Sequence, residues 1–326
     1  MPRKRVNDDA RLASRSLGKK HVRHHDVTVP RPVFPGSVSF VTRNCTQKQF
    51  LLRPDRETNN AFVYCLAVAA QRYEVDVIDF IQMSNHLHDA FYDRHGNGPA
   101  FYEHFHKLLA RCVNALRGRW ENLFATEQVC VVRPENREDL IDKLVYIATN
   151  PVKDGLVACV DDWPGASGYR ALLSGEPLRA KRPAHFFAED GIMPEEVSLH
   201  LTIPPELGDR DEILAEVRAR VVAVEEQQAA IRAATGRKVL GRYAVLRQSW
   251  RESPTSRAPR RNLRPTIAAK SLWSRLEAIQ RKREFIALHR AARLSTLAGN
   301  PIPFPAGTYW HRRFMGVAVV GCENQN

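Results

Sequence analysis

No two of the six cysteines in this 326-residue chain (Cys45, Cys65, Cys112, Cys130, Cys159 and Cys322) are spaced as a CxxC pair. No apolar secretory stretch precedes them either, so the thiols are expected to stay free in a reducing compartment and to serve as core filler. Long hydrophobic runs are equally missing. The N-terminus is basic and polar, with Arg3-Lys4-Arg5 and then Lys19-Lys20-His21, and it offers no candidate membrane span. A soluble, cytoplasmic protein is the resulting expectation. The sequence shows no internal repeat. Acidic residues are scarce in one place above all: from 237 to 297 there are sixteen Lys or Arg against three Glu (Glu252, Glu277, Glu284).

What is abundant is positive charge. Lys and Arg number 49 against 36 Asp and Glu, a formal net charge of +13 with a pI near 9.7. That balance suits a polyanionic partner, with nucleic acid the first guess and the nucleoid the natural address. Charge says nothing about chemistry. A hydrophobic fraction of 44% supports globular folding, and the length allows two modest domains.

Residues 1–35 carry charges, three closely spaced histidines and Pro30, Pro32 and Pro35 with little apolar periodicity, so a flexible basic arm is expected. The spacing then predicts a strand over 37–42, a helix over 57–73 and strands over 75–81 and 86–92. A turn at 94–98 follows, and Pro99 opens a helix to about 117. A short strand over 129–132 precedes a helix over 137–149, which should stop at Asn150-Pro151 because proline disfavours helix in the residue before it. Helices returning between antiparallel strands predict an α+β sandwich of ferredoxin-like type. Beyond Asp161-Asp162-Trp163-Pro164 a Pro-interrupted connector leads to a helix over 209–234 with Ile213, Leu214, Val217, Val221 and Val224 on one side. That region, 176–326, reads as a second, mainly helical and basic part.

Two His-x-His triplets occur. His86-Leu87-His88 lies in a strand pattern, where alternate side chains share a face and two imidazoles can share an ion. His104-Phe105-His106 lies in a helical pattern, where two residues turn through about 200°. Only the first pair can chelate. Two imidazoles alone make a weak site for Mg²⁺ or Mn²⁺, so a further oxygen donor is expected. Tyr146 and Asn150, four apart, share a helix face. Blandly, they are an interface residue and a helix terminator. Functionally, the Asn150 amide oxygen could complete a metal shell while Tyr146 presents its phenol to a phosphodiester.

Met83-Ser84-Asn85-His86-Leu87-His88, followed by Tyr146-Ile147-x-x-Asn150-Pro151-Val152-Lys153-x-Gly155-Leu156-Val157 and Asp162-Trp163-Pro164, resembles the REP-associated tyrosine transposases of the HUH single-tyrosine superfamily. The resemblance spans about residues 36–175. It implies a ferredoxin-like HUH nuclease domain with helices on one or both faces of an antiparallel sheet. It further implies a Mg²⁺ or Mn²⁺ site on His86, His88 and Asn150, Tyr146 as nucleophile, and cleavage and rejoining of single-stranded DNA at hairpin-forming repeats through a 5′-phosphotyrosine. Gly155, Trp163 and Tyr169 match its framework. The chain departs from the family at Ser84, where Pro is usual, at Ala148, where His is common, and at Asp89, where an apolar residue is typical.

Outside the match, the Arg-rich stretch with Tyr243, Trp250 and Trp273 suits phosphate contacts and base stacking. Arg43, Arg260, Arg261, Arg264, Arg281, Lys282 and Arg283 are the candidate DNA contacts, and the chain is expected to be a monomer or weak homodimer. Two other readings fit parts of the pattern: a domesticated hairpin-DNA-binding protein that cuts weakly or not at all, and a hydrolase in which His86 and His88 activate water.

Overall fold

A computed structural model describes residues 29–255 and 265–321. The chain is mixed α+β. Strands β1 (Ser37–Asn44), β2 (Val75–Gln82), β3 (His86–Asp93) and β4 (Cys130–Pro134) build one sheet with β7 (Ile267–Ala268), in the order β2-β3-β1-β4-β7. β1 runs antiparallel to both β3 and β4, and β2 antiparallel to β3, while the two-residue β7 adds a parallel edge. The connections are helical: α1 (Arg56–Tyr73) joins β1 to β2, and α2 (Gly98–Arg117) joins β3 to β4.

Strand alternation divides the sheet into two packed faces. On one face Phe80 and Phe91 meet the helices, with Phe62 of α1 stacked 5.3 Å from Phe80 and Phe101 of α2 at 4.9 Å from Phe91. The other face carries Phe40 and His88 and is covered by α3 (Arg137–Lys153), whose Tyr146 ring lies 5.9 Å from Phe40. Asp93 fixes the entry of α2, accepting from the Asn97 and Gly98 backbone N–H groups at 2.7 Å each. A side chain at Gly98 would bring Cβ within 2.8 Å of that carboxylate.

Helix α3 does not stop where Pro151 suggested. It continues through Pro151 to Lys153, with Asp154 N–H bonded to Asn150 O at 3.0 Å and Leu156 N–H to Pro151 O at 2.9 Å. Proline removes one intrahelical donor, and these bonds close the end one turn later. Asn150 is therefore a helical residue held rigidly above the sheet.

The C-terminal half wraps the same core. α4 (Tyr169–Ser174) is followed by a hairpin of β5 (Leu178–Lys181) and β6 (Glu196–Leu199) beside α1. α5 (Arg210–Thr235) packs on the outside of α3, burying Ile213, Leu214, Val217 and Val221 in one cluster with Leu140, Ile141 and Leu144. α6 (Arg242–Arg247) adds Val245 to it. α7 (Leu272–Leu297) and α8 (Trp310–Met315) follow, with a small separate cluster of Ala292, Phe304 and Val319. Of the stretch expected as an arm, residues 29–35 lie against this body: Val33 N–H donates to Gly307 O at 2.9 Å and Arg31 to Val129 O at 2.7 Å. Cys45, Cys65, Cys112, Cys130 and Cys159 are free thiols, and Cys322 lies outside the described residues. No helix among the described residues is long and apolar enough to cross a membrane.

Candidate functional site

The register of β3 puts His86 and His88 on the face toward α3, with ring centroids 4.8 Å apart. Their neighbours fix the tautomers. His86 Nδ1 lies 2.6 Å from Asn85 Oδ1, an oxygen that only accepts, so Nδ1 carries the proton. His88 Nδ1 lies 2.8 Å from Thr42 Oγ1, and its Nε2 receives the Asn150 amide at 3.3 Å, so here too Nδ1 is the donor. Both rings thus keep the lone pair on Nε2. They also stay neutral at pH 7. Burial, aided by Lys48, lowers His86 to about 4 against an opposing contact from Asn150; burial, then His86, Lys143 and Lys48, lowers His88.

α3 delivers the other two groups. Asn136 caps it, its side chain accepting from the Asp139 N–H at 2.9 Å. Leu140, Ile141, Leu144, Ile147 and Ala148 form its buried stripe and leave Tyr146 on the flank, 38% exposed. The phenol ring stands edge-on to His88 at 5.1 Å. Asn150, one turn on, is buried; its Nδ2 faces His88 and its Oδ1 has no hydrogen-bond partner. Partial burial of the phenol, then the Asp154 carboxylate, raise the Tyr146 pKa, with Asn150 acting the other way. The nucleophile candidate therefore rests as a protonated phenol.

These donors fit a hard divalent cation only in part by protein. Among the described residues no group of three or more His, Cys, Asp or Glu converges. A cation here would rest on two imidazole nitrogens, the orphaned Asn150 oxygen, and oxygens of water or phosphate.

Several residues that the spacing left unnoticed complete the surroundings. Lys143 and Lys153 lie on the same flank of α3, their ammonium nitrogens 5.9 and 5.6 Å from the Tyr146 ring centroid. Phe40 stacks on His88 at 5.4 Å. Lys48 lies in a turn in which it and Gln47 adopt left-handed φ values of 56° and 50°, and it donates to Asn44 Oδ1 at 2.6 Å. A helical wheel centred on Tyr146 would have found Lys143 and Lys153; the Thr42, Phe40 and Lys48 contacts depend on pairing across the sheet.

The three departures are all buried. Asp89 points to the face opposite His88, buried with both carboxylate oxygens unpartnered and its pKa pushed up to about 8 by burial. Ser84 is buried with its hydroxyl unpartnered, and Ala148 is buried in the stripe of α3. Gly155 takes a φ of 67° just after α3, Trp163 is buried and donates to Gln82 O at 3.0 Å, and Tyr169 is buried in α4. His106 is buried among aromatic rings while His104 lies half outside, so that pair cannot chelate.

The candidate DNA contacts are scattered. Alternation turns Arg43 to the face opposite His88, where it donates to Glu127 O at 2.6 Å and lies over Phe124. Arg281 pairs with Glu135 at 2.5 Å and Lys282 donates to Thr266 Oγ1 at 2.8 Å, while Arg283 is exposed on α7. Arg260, Arg261 and Arg264 lie outside the described residues. Tyr243 and Trp273 are exposed, at 71% and 75%; Trp250 packs against the core beneath Arg117.

No family model and no curated protein matches the chain. Among solved structures it is similar to one described as the structure of the REP-associated tyrosine transposase bound to a REP hairpin, at 19% identity and a TM-score of 0.34, over 44% of this chain and 83% of that one. An alignment that loose carries no weight by itself. The link to a reaction lies in the side chains.

Proposed function

We propose that strands β1 to β4 of the sheet, with the two crossover helices, form a ferredoxin-like HUH nuclease domain, placing the chain in the class of metal-assisted enzymes that cut single-stranded DNA through tyrosine. Within that class we read it as a REP-associated tyrosine transposase, a nickase and strand transferase acting beside hairpin-forming repeats. The observation that carries this reading is the convergence of four groups from two segments far apart in the chain: two neutral imidazoles with matched tautomers, an orphaned amide oxygen and a half-exposed phenol.

In this mechanism Tyr146 Oη attacks the phosphorus of a phosphodiester. The P–O3′ bond breaks, the phenol proton passes to solvent, and the 3′ oxygen leaves as a hydroxyl after taking up a proton. The product is a 5′-phosphotyrosine whose bond energy is kept for rejoining to another 3′-OH. Lys143 and Lys153 stand where they can attract the phosphate and favour the developing phenolate. His86, His88 and Asn150 would hold Mg²⁺ or Mn²⁺, which when bound supplies Lewis-acid polarisation of the phosphate. Tyr146 meets His88 of its own chain, which supports a site completed in cis and a monomer or weak dimer.

The test incubates the protein and Tyr146→Phe with 5′- and 3′-labelled hairpin oligonucleotides from repeats flanking the gene, with Mn²⁺ or EDTA, followed by denaturing protein gels. A metal-dependent adduct on the 3′-labelled fragment, absent from Tyr146→Phe, is the expected result. Cleavage that survives in Tyr146→Phe makes the chain a hydrolase. Tight binding without any adduct makes it a hairpin-binding protein.

A further inference from the structure

Aromatic and cationic side chains gather a second time, outside the tyrosine site. A cleft of about 970 Å³ opens between the first residues of α2, the stretch 29–33, α7 and α8, and its walls include Tyr102, Tyr309, Trp310, Arg290 and Arg293. Such a volume is at the upper end of what a small-molecule or nucleotide-sized group occupies. Trp310 is 46% exposed, stacked on Phe314 at 5.2 Å with the rings 12° apart, and Tyr309 meets it edge-on at 5.2 Å. Phe314 itself is 67% exposed. Large aromatic faces left in water point to something that covers them.

Charge narrows the choice of occupant. Arg290 and Arg293 are three apart on α7 and so share a face, and neither makes an ion pair among the described residues. No acidic side chain among the described residues lines the cleft. A purely apolar ligand has no use for two guanidinium groups, and an acidic peptide has none for a stacked indole. Flat π faces beside guanidinium groups match a base joined to a phosphate, the combination presented by single-stranded nucleic acid. Gln128 and Val129 edge the cleft and lead into β4, the strand that pairs with β1, so the cleft lies at the β4 edge of the sheet on the side of α2.

We propose that this cleft holds an unpaired nucleotide of the DNA strand on which Tyr146 acts, its base stacked on Trp310 and Tyr309 and its phosphate held by Arg290 and Arg293. The proposal rests on the single-strand reading given above and adds a second binding site to it. It also gives the C-terminal region a specific role, that of holding strand beyond the scissile phosphate.

The test measures binding of fluorescent oligothymidylate to the full chain by anisotropy across a salt series, in EDTA so that nothing is cut. Arg290→Gln/Arg293→Gln is expected to weaken binding and to lower the slope of log affinity against log salt by about 1.4, the share of two single-strand phosphate contacts. Trp310→Ala is expected to weaken binding about tenfold with an unchanged slope, and Trp310→Phe to restore it. A parent-like affinity and slope in both the double variant and Trp310→Ala overturns the proposal, even if the Tyr146 adduct forms. Self-association that the variants abolish, with no change in DNA binding, also overturns it and assigns the cleft to a second copy of the chain. If no adduct is found but the variants lose oligothymidylate as described, the cleft stands and the cutting reading falls.

Discussion

Asn150 Oδ1 is buried without a hydrogen-bond partner, although its own Nδ2 donates to His88. An orphaned buried acceptor costs about 1–3 kcal/mol, and a site that binds a cation recovers that cost only when the cation is present. Asn150→Ala is therefore expected to leave thermal stability within about 1 kcal/mol of the parent, yet to weaken Mn²⁺ binding, read by calorimetric titration, by at least about tenfold. Unchanged Mn²⁺ affinity would remove Asn150 from the ligand set. A second residue-scale prediction concerns Asp79, buried in β2 with its pKa pushed up to about 8 by burial against a bond from the Phe80 N–H. In the unfolded chain the same carboxyl titrates near 4. Because the folded value is the higher one, the stability present at pH 4 is lost as pH rises toward 8, by about 1.4 kcal/mol per unit for one such group. Asp79→Asn should flatten the fall of the urea midpoint between pH 5 and 8, and an undiminished slope would place that dependence on other groups.

At the scale of elements, α3 is the part on which the site depends. It lies between the sheet and α5, and its outer side is tied by Arg220 of α5, which reaches Asp142 and Glu138 at 2.7 Å each. Such partly exposed pairs contribute little; the seam of buried valines in α5 holds more. Val217→Ala, at a fully buried position, is expected to cost about 2 kcal/mol in denaturant unfolding while leaving adduct formation at 25 °C within about twofold, because the α3 register over His88 is set by the sheet. A large loss of adduct at full folding would show that α5 positions the tyrosine as well as supporting it. The elements from β1 to α3 were legible in the sequence because the helices carry a buried stripe at helical spacing and the strands are short apolar, β-branched or aromatic runs bounded by turn residues, β2 and β3 being buried on both faces. β5, β6 and β7 were not: four, four and two residues long, they are too short for a period to emerge, and β7 exists only through pairing with β4 more than a hundred residues away. The end of α3 was misplaced because proline only disfavours helix in the residue before it, and here the local bonds from Asp154 to Asn150 O and from Leu156 to Pro151 O carry the helix past the missing donor. Similarly, spacing put His86 with His88 and Tyr146 with Asn150, but only the packing of α3 on β3 joins the two pairs.

For the molecule as a whole, the division of labour follows from where the cores lie. The main cluster runs from β1 through α6, with Trp250 and Ala268 packed against it, whereas α7 and the segment after it carry a small cluster of their own around Ala292, Phe304 and Val319. Lys270 is the last residue that braces α3, donating from its backbone to Asp139 at 2.8 Å and from Nζ to Asp142 at 2.9 Å. What lies beyond it is joined to the body by the polar contacts of Arg281 with Glu135 and Lys282 with Thr266 and by the buried Ala278 and Phe285 of α7, outside the main cluster. A chain ending after Lys270 should therefore still unfold cooperatively, with a melting temperature within about 8 °C of the parent. It should still form the Tyr146 adduct at saturating DNA, because every residue that touches His88 or Tyr146 is retained. Its affinity for unpaired DNA should fall and its salt slope flatten, since the aromatic wall of the cleft and all the cations of α7 are gone. Calorimetry and anisotropy on the shortened chain measure the two halves of this expectation separately. Loss of cooperative melting would mean that α7 and α8 belong to the one folding unit; full DNA affinity would mean that the positive charge of the C-terminal helices serves something other than the strand.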